Sequence, residues 1–169
     1  MTRFRTVTWD DPAPVRIVGG ARSGLELMRA IAAGDLPAPP VARLLGFDLA
    51  EPVEEGRATF VMDAAEEHLN PLGTVHGGML TTLLDSAMGC AVHTTLPAGA
   101  SYTTVELKVN FLRPVFPGDA RLRAEGRVVH RGSTIALAEA QIVDETTGKL
   151  IAHATSTCLI KAASHVAAA

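Results

Sequence analysis

The sequence GGMLTTLLDSAMGCAVHTT, residues 77–95, decides the fold. It is the longest segment with a helical pattern, and it is apolar on nearly all sides: Met79, Leu80, Leu83, Leu84, Ala87, Met88, Ala91 and Val92. A helix of this kind lies inside a protein rather than on its surface. We therefore predict a buried central helix that the rest of the chain encloses.

Strand-like sequences surround this helix. Two short runs, 47–53 and 56–62, precede it. Four runs of about ten residues follow it (102–112, 119–131, 133–145 and 149–161), and turn residues such as Pro117-Gly118 and Thr147-Gly148 separate them. Successive runs joined by tight turns predict an antiparallel meander. A long buried helix against a curved antiparallel sheet is an α+β arrangement in which the sheet wraps the helix, the hotdog fold.

Residues 1–40 differ from the rest of the chain. Within them, SGLELMRAIAAG predicts one helix that Ser23 caps and Gly34 ends, and the sequence DLPAPP that follows breaks any helix. We predict an N-terminal extension, 1–40, whose helix packs on the domain or on a partner subunit. The hotdog domain is then 41–161, beginning with a short helical turn that Gly46 closes, and 162–169 form a frayed tail.

Composition excludes several classes of function. The formal net charge is −3 and the 15 Lys and Arg are scattered, so no basic surface for a nucleic acid is indicated. No apolar run approaches the roughly 20 residues of a membrane span, and no apolar signal segment follows the polar N-terminus. The two cysteines, Cys90 and Cys158, lie in apolar stretches and are expected to be buried thiols rather than a disulfide. We expect a cytoplasmic protein.

The motif His76-Gly77-Gly78 opens the central helix. Free backbone N–H groups and the positive end of the helix dipole lie at such a start, and a glycine lets a ligand oxygen approach the backbone closely. These features suit the polarisation of a carbonyl and the stabilisation of an oxyanion. The motif alone is equally compatible with glycines that only permit a sharp turn.

Asp85 lies among apolar residues on the same helix. Burying a carboxylate is costly, so it either bonds to neighbouring hydroxyls or backbone, or serves as a catalytic base or nucleophile. We favour the catalytic interpretation. Asp85 shares a helix face with Gly77, Thr81 and Gly89, a stripe of small residues that a second subunit could approach.

The spacing along the helix predicts a dimer. Asp85 comes eight residues after Gly77, about 12 Å along the helix axis. That is too far for a carboxylate to reach a carbonyl held at the start of its own helix. If both groups act on one substrate, they come from different subunits of a two-fold dimer with two composite sites.

The string HLNPLGTVHGGMLTTLLDSA, residues 68–87, resembles the signature of PaaI-like (phenylacetate-degradation) thioesterases of the hotdog superfamily, whose near relatives include the thioesterase superfamily member 2 type. The resemblance extends over about 41–161. It implies hydrolysis of an acyl-CoA to the free acid and CoA. The substrate's acyl group, aromatic or aliphatic, stays open.

The resemblance also implies catalytic roles. Asp85 is the general base or nucleophile, and the Gly77 N–H polarises the thioester carbonyl. Asn70 orients water or the thioester, His76 supports its loop, and the Thr104 hydroxyl helps hold the attacking water. In such enzymes Asp85 and Thr104 come from one subunit and Asn70 and Gly77 from the other. Without the resemblance, Asn70 would be interpreted as a turn residue and Thr104 as a strand surface residue.

For binding of CoA, the resemblance points to Gly78 and to the turn of Arg131, Gly132, Ser133 and Thr134. Relatives contact the phosphates and pantetheine of CoA with this turn. The residues alone are equally compatible with a plain hairpin.

We expect no metal and no cofactor. The histidines outside the glycine motif (His68, His93, His130, His153 and His165) do not have the spacing of metal ligands. The motif GxSxG is absent, so thioester cleavage by an α/β-hydrolase has no support.

Two other functions remain: a non-catalytic acyl-CoA-binding protein, and a hydratase or dehydratase, which is less favoured because no histidine neighbours Asp85. We expect a homodimer at least, and a homotetramer as the full assembly.

Overall fold

The computed structural model describes residues 1–118 and 121–163. Three short helices come first: α1 (Ala13–Gly19), α2 (Gly24–Ala32) and α3 (Pro40–Leu45). The strands β1 (Phe47–Glu54) and β2 (Arg57–Asp63) and a 3-10 turn (Glu66–His68) lead to the long helix α4 (Gly77–His93). The remaining strands are β3 (Ser101–Phe111), β4 (Arg121–Arg131), β5 (Ile135–Asp144) and β6 (Leu150–Lys161). Over this described part, no helix combines the length and the apolar character that crossing a membrane requires.

The six strands form one antiparallel sheet in the order β1-β2-β4-β5-β6-β3. This confirms the predicted α+β hotdog architecture, but the predicted four-strand meander is wrong in one place. β4, β5 and β6 are consecutive neighbours, whereas β3 pairs with β6 at the far edge of the sheet. The physical reason is the link from β3 to β4, residues 112–120, which is too long for a tight hairpin and contains Pro114 and Pro117.

Helix α4 is buried against one face of this sheet, as predicted. Eight of its residues are buried: Leu80, Leu83, Leu84, Ala87, Met88, Gly89, Ala91 and Val92. The closest approach is at Gly126 on β4, where an added Cβ would overlap the Ala87 carbonyl and lie 2.8 Å from the Met88 nitrogen. The small residue on the strand thus lets the sheet curve tightly around the helix.

The N-terminal extension contains two helices rather than the single one predicted. The predicted helix is α2, with Ser23 and Glu26 forming a capping box, and Gly34 follows its end with φ +80°. α1, with Pro12 before it and Pro14 in its first turn, went unpredicted because its seven residues carry no buried face of their own. Val15 of α1 packs instead against the apolar cluster of Leu27 and Met28 on α2.

The extension packs on its own domain. The Gly24 N–H donates to the Leu96 carbonyl at 2.9 Å, and Gly24 lies directly against the His93 carbonyl at the end of α4. α2 also packs on β1 through Val53. Of the two packing modes predicted for this helix, the structure shows the one on the domain. Of the predicted frayed tail, residues 164–169 lie outside the described part.

Candidate active site

The backbone N–H groups of the first turn of α4 differ in their acceptors. The His76 Nδ1 atom accepts a hydrogen bond from the Gly78 N–H at 2.8 Å, and the His76 carbonyl accepts one from the Met79 N–H at 2.9 Å. For the Gly77 N–H, no acceptor is found among residues 1–118 and 121–163. His76 therefore caps the helix and engages Gly78, while Gly77 presents its amide at the positive end of the helix.

A cavity of about 320 Å³ lies in front of this amide. Gly77, Asn70, Phe111 and Arg113 are among the residues that line it. The Phe111 ring covers Gly77 so closely that an added Cβ would lie 3.1 Å from the ring's Cζ atom. A side chain at this position would therefore need Phe111 to shift slightly, whereas glycine leaves room for the approach of a ligand.

Asn70 lies in the same cavity but is also bound within its own turn. Its Nδ2 atom donates to Thr74 Oγ1 at 2.9 Å, and its Oδ1 atom accepts from the Leu72 N–H at 2.8 Å. An amide NH₂ has two hydrogens, so one donor of Asn70 remains for a ligand. The structure therefore shows Asn70 as a turn residue that also faces the cavity at Gly77.

Asp85 lies two turns further along α4 and is half-buried. The Thr104 Oγ1 atom on β3 donates to the Asp85 Oδ1 atom at 2.9 Å. Within the described residues, Asp85 forms no ion pair and receives no other hydrogen bond. The second carboxylate oxygen is thus free to bind water or substrate.

A bulge in β3 places both Thr104 and Phe111 against α4. The pairing of β3 with β6 shifts between Thr104 and Glu106, with Val105 as the extra residue. Before the bulge the even-numbered residues Tyr102 and Thr104 face inward, and after it the odd-numbered Leu107 and Val109 do. Because residues alternate between the two faces of a strand, Thr104 and Phe111 would face opposite sides of a regular strand.

The expected stripe of small residues on α4 is covered by the chain's own β3. Tyr102 lies over Gly89, where an added Cβ would come within 2.9 Å of its ring carbons, and Phe111 lies over Gly77. The prediction that a second subunit approaches this stripe is therefore wrong for both glycines. Sequence reasoning found a close approach but missed Tyr102 and Phe111, because the pattern does not show which element makes it.

The surroundings of Asp85 keep nearby groups protonated. Burial raises the pKa of the Cys90 thiol to about 12, and the charge of Asp85 adds to the effect. Burial likewise raises the pKa of the Tyr102 hydroxyl well above its ordinary value. Cys90 and Tyr102 therefore stay protonated at neutral pH and are not suited to act as bases beside Asp85.

The predicted CoA-binding turn, residues 131–134, joins β4 to β5 as a hairpin. The Gly132 N–H donates to the Ile135 carbonyl at 2.8 Å, and Arg131, Ser133 and Thr134 are exposed. Strand pairing aligns Arg131 with Ala136, Ala136 with Cys158, and Cys158 with Thr104. Three strand spacings separate Arg131 from Thr104, about 14 Å across the sheet. The turn therefore lies at the same end of the sheet as the Asp85–Thr104 pair.

Within residues 1–118 and 121–163, no three His, Cys, Asp or Glu side chains lie close enough together to hold a metal ion.

Of the predicted residues, the structure brings Asp85 together with Thr104, and Asn70 together with Gly77. It does not bring these two pairs together within one chain, since separate contacts on β3 hold them at different levels of α4.

Comparisons with known proteins cover this region. The model of the thioesterase superfamily matches residues 72–151, which include Gly77, Asp85 and Thr104. Acyl-coenzyme A thioesterase 13 of Mus musculus is 34% identical over 96 residues, or 57% of this chain and 67% of the mouse protein. Acyl-coenzyme A thioesterase PaaI of Escherichia coli is 35% identical over 105 residues, or 62% of this chain and 71% of that protein.

Solved structures share the fold. The structure of E. coli PaaI, from the phenylacetic acid degradation operon, superposes with a TM-score of 0.71 at 27% identity and covers 84% of this chain and 97% of that one. The smu.793 protein of Streptococcus mutans, solved with acetyl-CoA bound, superposes with a TM-score of 0.62 at 27% identity, covering 69% and 90%.

Proposed function

Because this chain belongs to the thioesterase superfamily and is a thioester hydrolase, we propose that it hydrolyses acyl-CoA at a site shared between two subunits. The hydrogen bond from Thr104 to Asp85 carries this proposal. It holds the Asp85 carboxylate against the inner face of the sheet with one oxygen free, and among residues 1–118 and 121–163 no cation pairs with it. Such a carboxylate is suited to activate water.

The free edge of β3 supports a dimer. Within the described part of the chain, β3 pairs with β6 on one side and with no strand on the other. It is 11 residues long, and Val105 beside its bulge is 55% exposed. A long edge strand of this kind favours pairing with another chain.

Antiparallel pairing of two β3 strands would complete the site. A two-fold axis near Glu106, the middle of the strand, sets the Phe111 end of one β3 beside the Ser101 end of the other. Phe111 packs on Gly77, and Thr104 bonds Asp85. The Gly77 half of one subunit then lies beside the Asp85 half of its partner. Exposed apolar side chains on the extension, such as Phe4 and Trp9, are candidate contacts for a tetramer of two such dimers.

The proposed reaction follows from these groups. Water between the Asp85 carboxylate and the Thr104 hydroxyl attacks the thioester carbonyl carbon, and Asp85 takes its proton as general base. The carbonyl oxygen becomes an oxyanion and accepts a hydrogen bond from the Gly77 N–H of the partner. Collapse of the intermediate breaks the carbon–sulfur bond, so the CoA thiolate leaves and the free acid remains.

Other residues have supporting roles in this proposal. The remaining amide hydrogen of Asn70 steadies the thioester beside Gly77, and His76 keeps the Gly78 amide engaged so that the helix start stays in place. The exposed Arg131 turn binds the phosphates of CoA, for which a guanidinium is well suited. Phenylacetyl and other aromatic or aliphatic acyl-CoAs are the candidate substrates.

Release of free thiol from a panel of short, aromatic and long acyl-CoAs tests the function. Asp85→Asn should lower kcat by about 10²–10⁴-fold, the usual contribution of a general base, while acyl-CoA binding is retained. The matched control is Asp63→Asn, an exposed acid at the end of β2 that should leave kcat unchanged. Binding without thiol release from any acyl-CoA would instead show a non-catalytic acyl-CoA-binding protein, and addition of water to an enoyl-CoA would show a hydratase.

A single turnover in ¹⁸O-labelled water tests whether Asp85 acts as a nucleophile whose anhydride is cleaved at the Asp85 carbon. If Asp85 is a general base, the label enters only the released acid. A label in the Asp85 carboxylate would show that Asp85 attacks the thioester itself and that water then cleaves the anhydride.

A further inference from the structure

A second cavity, of about 430 Å³, lies between the N-terminal extension and the domain. Its walls come from α1, α2, the end of α4 and the chain entering β3. Apolar side chains predominate among its lining residues, including Val15, Leu27, Ala38, Pro39 and Ala100. A volume of this size falls within the range of pockets for small molecules.

The cavity begins where the catalytic region ends. His93, the last residue of α4, lines it, and the His93 ring packs against the Tyr102 ring with centroids 5.7 Å apart. Tyr102 in turn lies on Gly89, one helical turn beyond Asp85. His93 follows Asp85 by eight residues, about 12 Å along α4. The Tyr102–His93 pair thus separates the Asp85 site from the cavity.

The chemistry of the cavity favours an uncharged, apolar occupant. Burial lowers the pKa of His93, so its imidazole is neutral at neutral pH. Arg16, the charged side chain that lines the cavity, belongs to an exposed residue. To reach the cavity from a thioester at Asp85, an acyl chain must span this distance of about 12 Å and pass the Tyr102–His93 pair, and an acetyl group is too short to do so.

We propose that this cavity holds the distal part of the acyl group, so that α1 and α2 make the enzyme selective for medium-chain over acetyl-CoA. The inference rests on the function proposed above. It assigns the N-terminal extension a role in substrate selection. The extension lies outside residues 72–151, which match the family model. Tyr102 forms the boundary past which the acyl chain must run.

Filling the cavity tests this assignment. kcat/KM would be measured for acetyl-, hexanoyl- and decanoyl-CoA with the wild type, Val15→Trp and Ala100→Leu, whose new side chains enter the cavity from α1 and from the chain before β3. In the wild type, each methylene that enters the cavity should raise kcat/KM by about fourfold. Both variants should lower the ratio of decanoyl to acetyl activity by about tenfold or more, with acetyl activity nearly unchanged. Ile17→Trp is the control, because Ile17 is 73% exposed on the same helix and lies outside the cavity.

The outcomes distinguish failure of the cavity assignment from failure of the proposed function. A decanoyl-to-acetyl ratio that stays at the wild-type value in both variants would overturn the cavity assignment while thiol release still upholds the thioesterase. No thiol release from any acyl-CoA by the wild type would overturn the proposed function first. Retained acetyl activity and an unchanged melting temperature show that a variant is folded. If Val15→Trp does not fold, the decanoyl-to-acetyl ratio of Ala100→Leu decides the cavity assignment.

Discussion

The two halves of the candidate site, Asp85 with Thr104 and Asn70 with Gly77, differ in how many of their polar groups already have a partner within one subunit. Asp85 and Thr104 are half-buried and bonded to each other, so this half is set by the fold of one subunit. The Gly77 half ends in a backbone N–H without an acceptor in the described residues, beside an open cavity. In the proposed mechanism, the Asp85 half therefore supplies groups that are already positioned, and the Gly77 half is completed by a substrate and a partner subunit.

Removing the Gly77 donor should have the largest effect on the open half. Gly77 is the first helical residue, and His76 before it has φ −62° and ψ 135°, which is the backbone that a following proline requires. Gly77→Pro should therefore keep the helix but lose the N–H, and lower kcat by about 10²–10³-fold. Gly77→Ala retains the N–H and needs only a small shift of Phe111, so steady-state kinetics should show a much smaller loss. Equal losses in both variants would point to crowding rather than to a lost donor.

Mixing the two broken halves should restore activity if they belong to different subunits. After subunit exchange between Asp85→Asn and Gly77→Pro proteins, half of the dimers are hybrids, and each hybrid has one intact site. Thiol release should recover to about a quarter of the wild-type rate. If native mass spectrometry shows hybrids but activity stays at the level of the single variants, the site lies within one chain.

Within the completed half, the Thr104 hydroxyl should matter less than the carboxylate. Thr104→Val keeps the shape of the side chain but removes the hydrogen bond to Asp85. Loss of one such bond corresponds to about a tenfold fall in kcat. Thr103→Val, on the exposed face of the same strand, is the matched control. The same loss in both variants would assign the effect to the strand rather than to the hydroxyl.

The smallest effect concerns the cysteines near Asp85. Burial raises the pKa of both thiols, that of Cys90 to about 12, so at pH 8 both are protonated and poor nucleophiles. In the native protein, a chromogenic thiol reagent should titrate neither Cys90 nor Cys158 within minutes, and it should titrate both in denaturant. Fast reaction in the native state would show that the Asp85 half is more open than the structure indicates.

Much of the fold follows from local sequence patterns. The apolar pattern of α4, the Ser23 cap of α2 and Gly46 at the end of α3, with φ +73°, all correspond to predicted features. The spacing of Asp85 and Gly77 on one helix likewise indicated that the two act in different subunits, which stays a prediction.

The rest depends on contacts between distant parts of the chain. The place of β3 beside β6 is set by strand pairing across about 50 residues, which no local pattern encodes. α1 depends on the apolar surface that α2 offers to Val15. The cover that Tyr102 and Phe111 provide for Gly89 and Gly77 depends on the bulge at Val105, and nothing in the local sequence indicates that bulge.

The bulge makes the effect of a change in chain length depend on where in β3 the change falls. Deleting Val105 would remove the bulge and leave the pairing with β6 intact, from Thr104–Cys158 to Phe111–Ala152, so that Phe111 would still cover Gly77. Deleting a residue between Glu106 and Phe111 would instead turn the end of the strand by one face, so that Phe111 would leave Gly77. The wall beside Gly77 would then be lost although Asp85, Thr104 and Gly77 all remain. A designer who grafts new acyl specificities onto this scaffold should therefore preserve the number of residues between Glu106 and Phe111, and can vary their identity more freely.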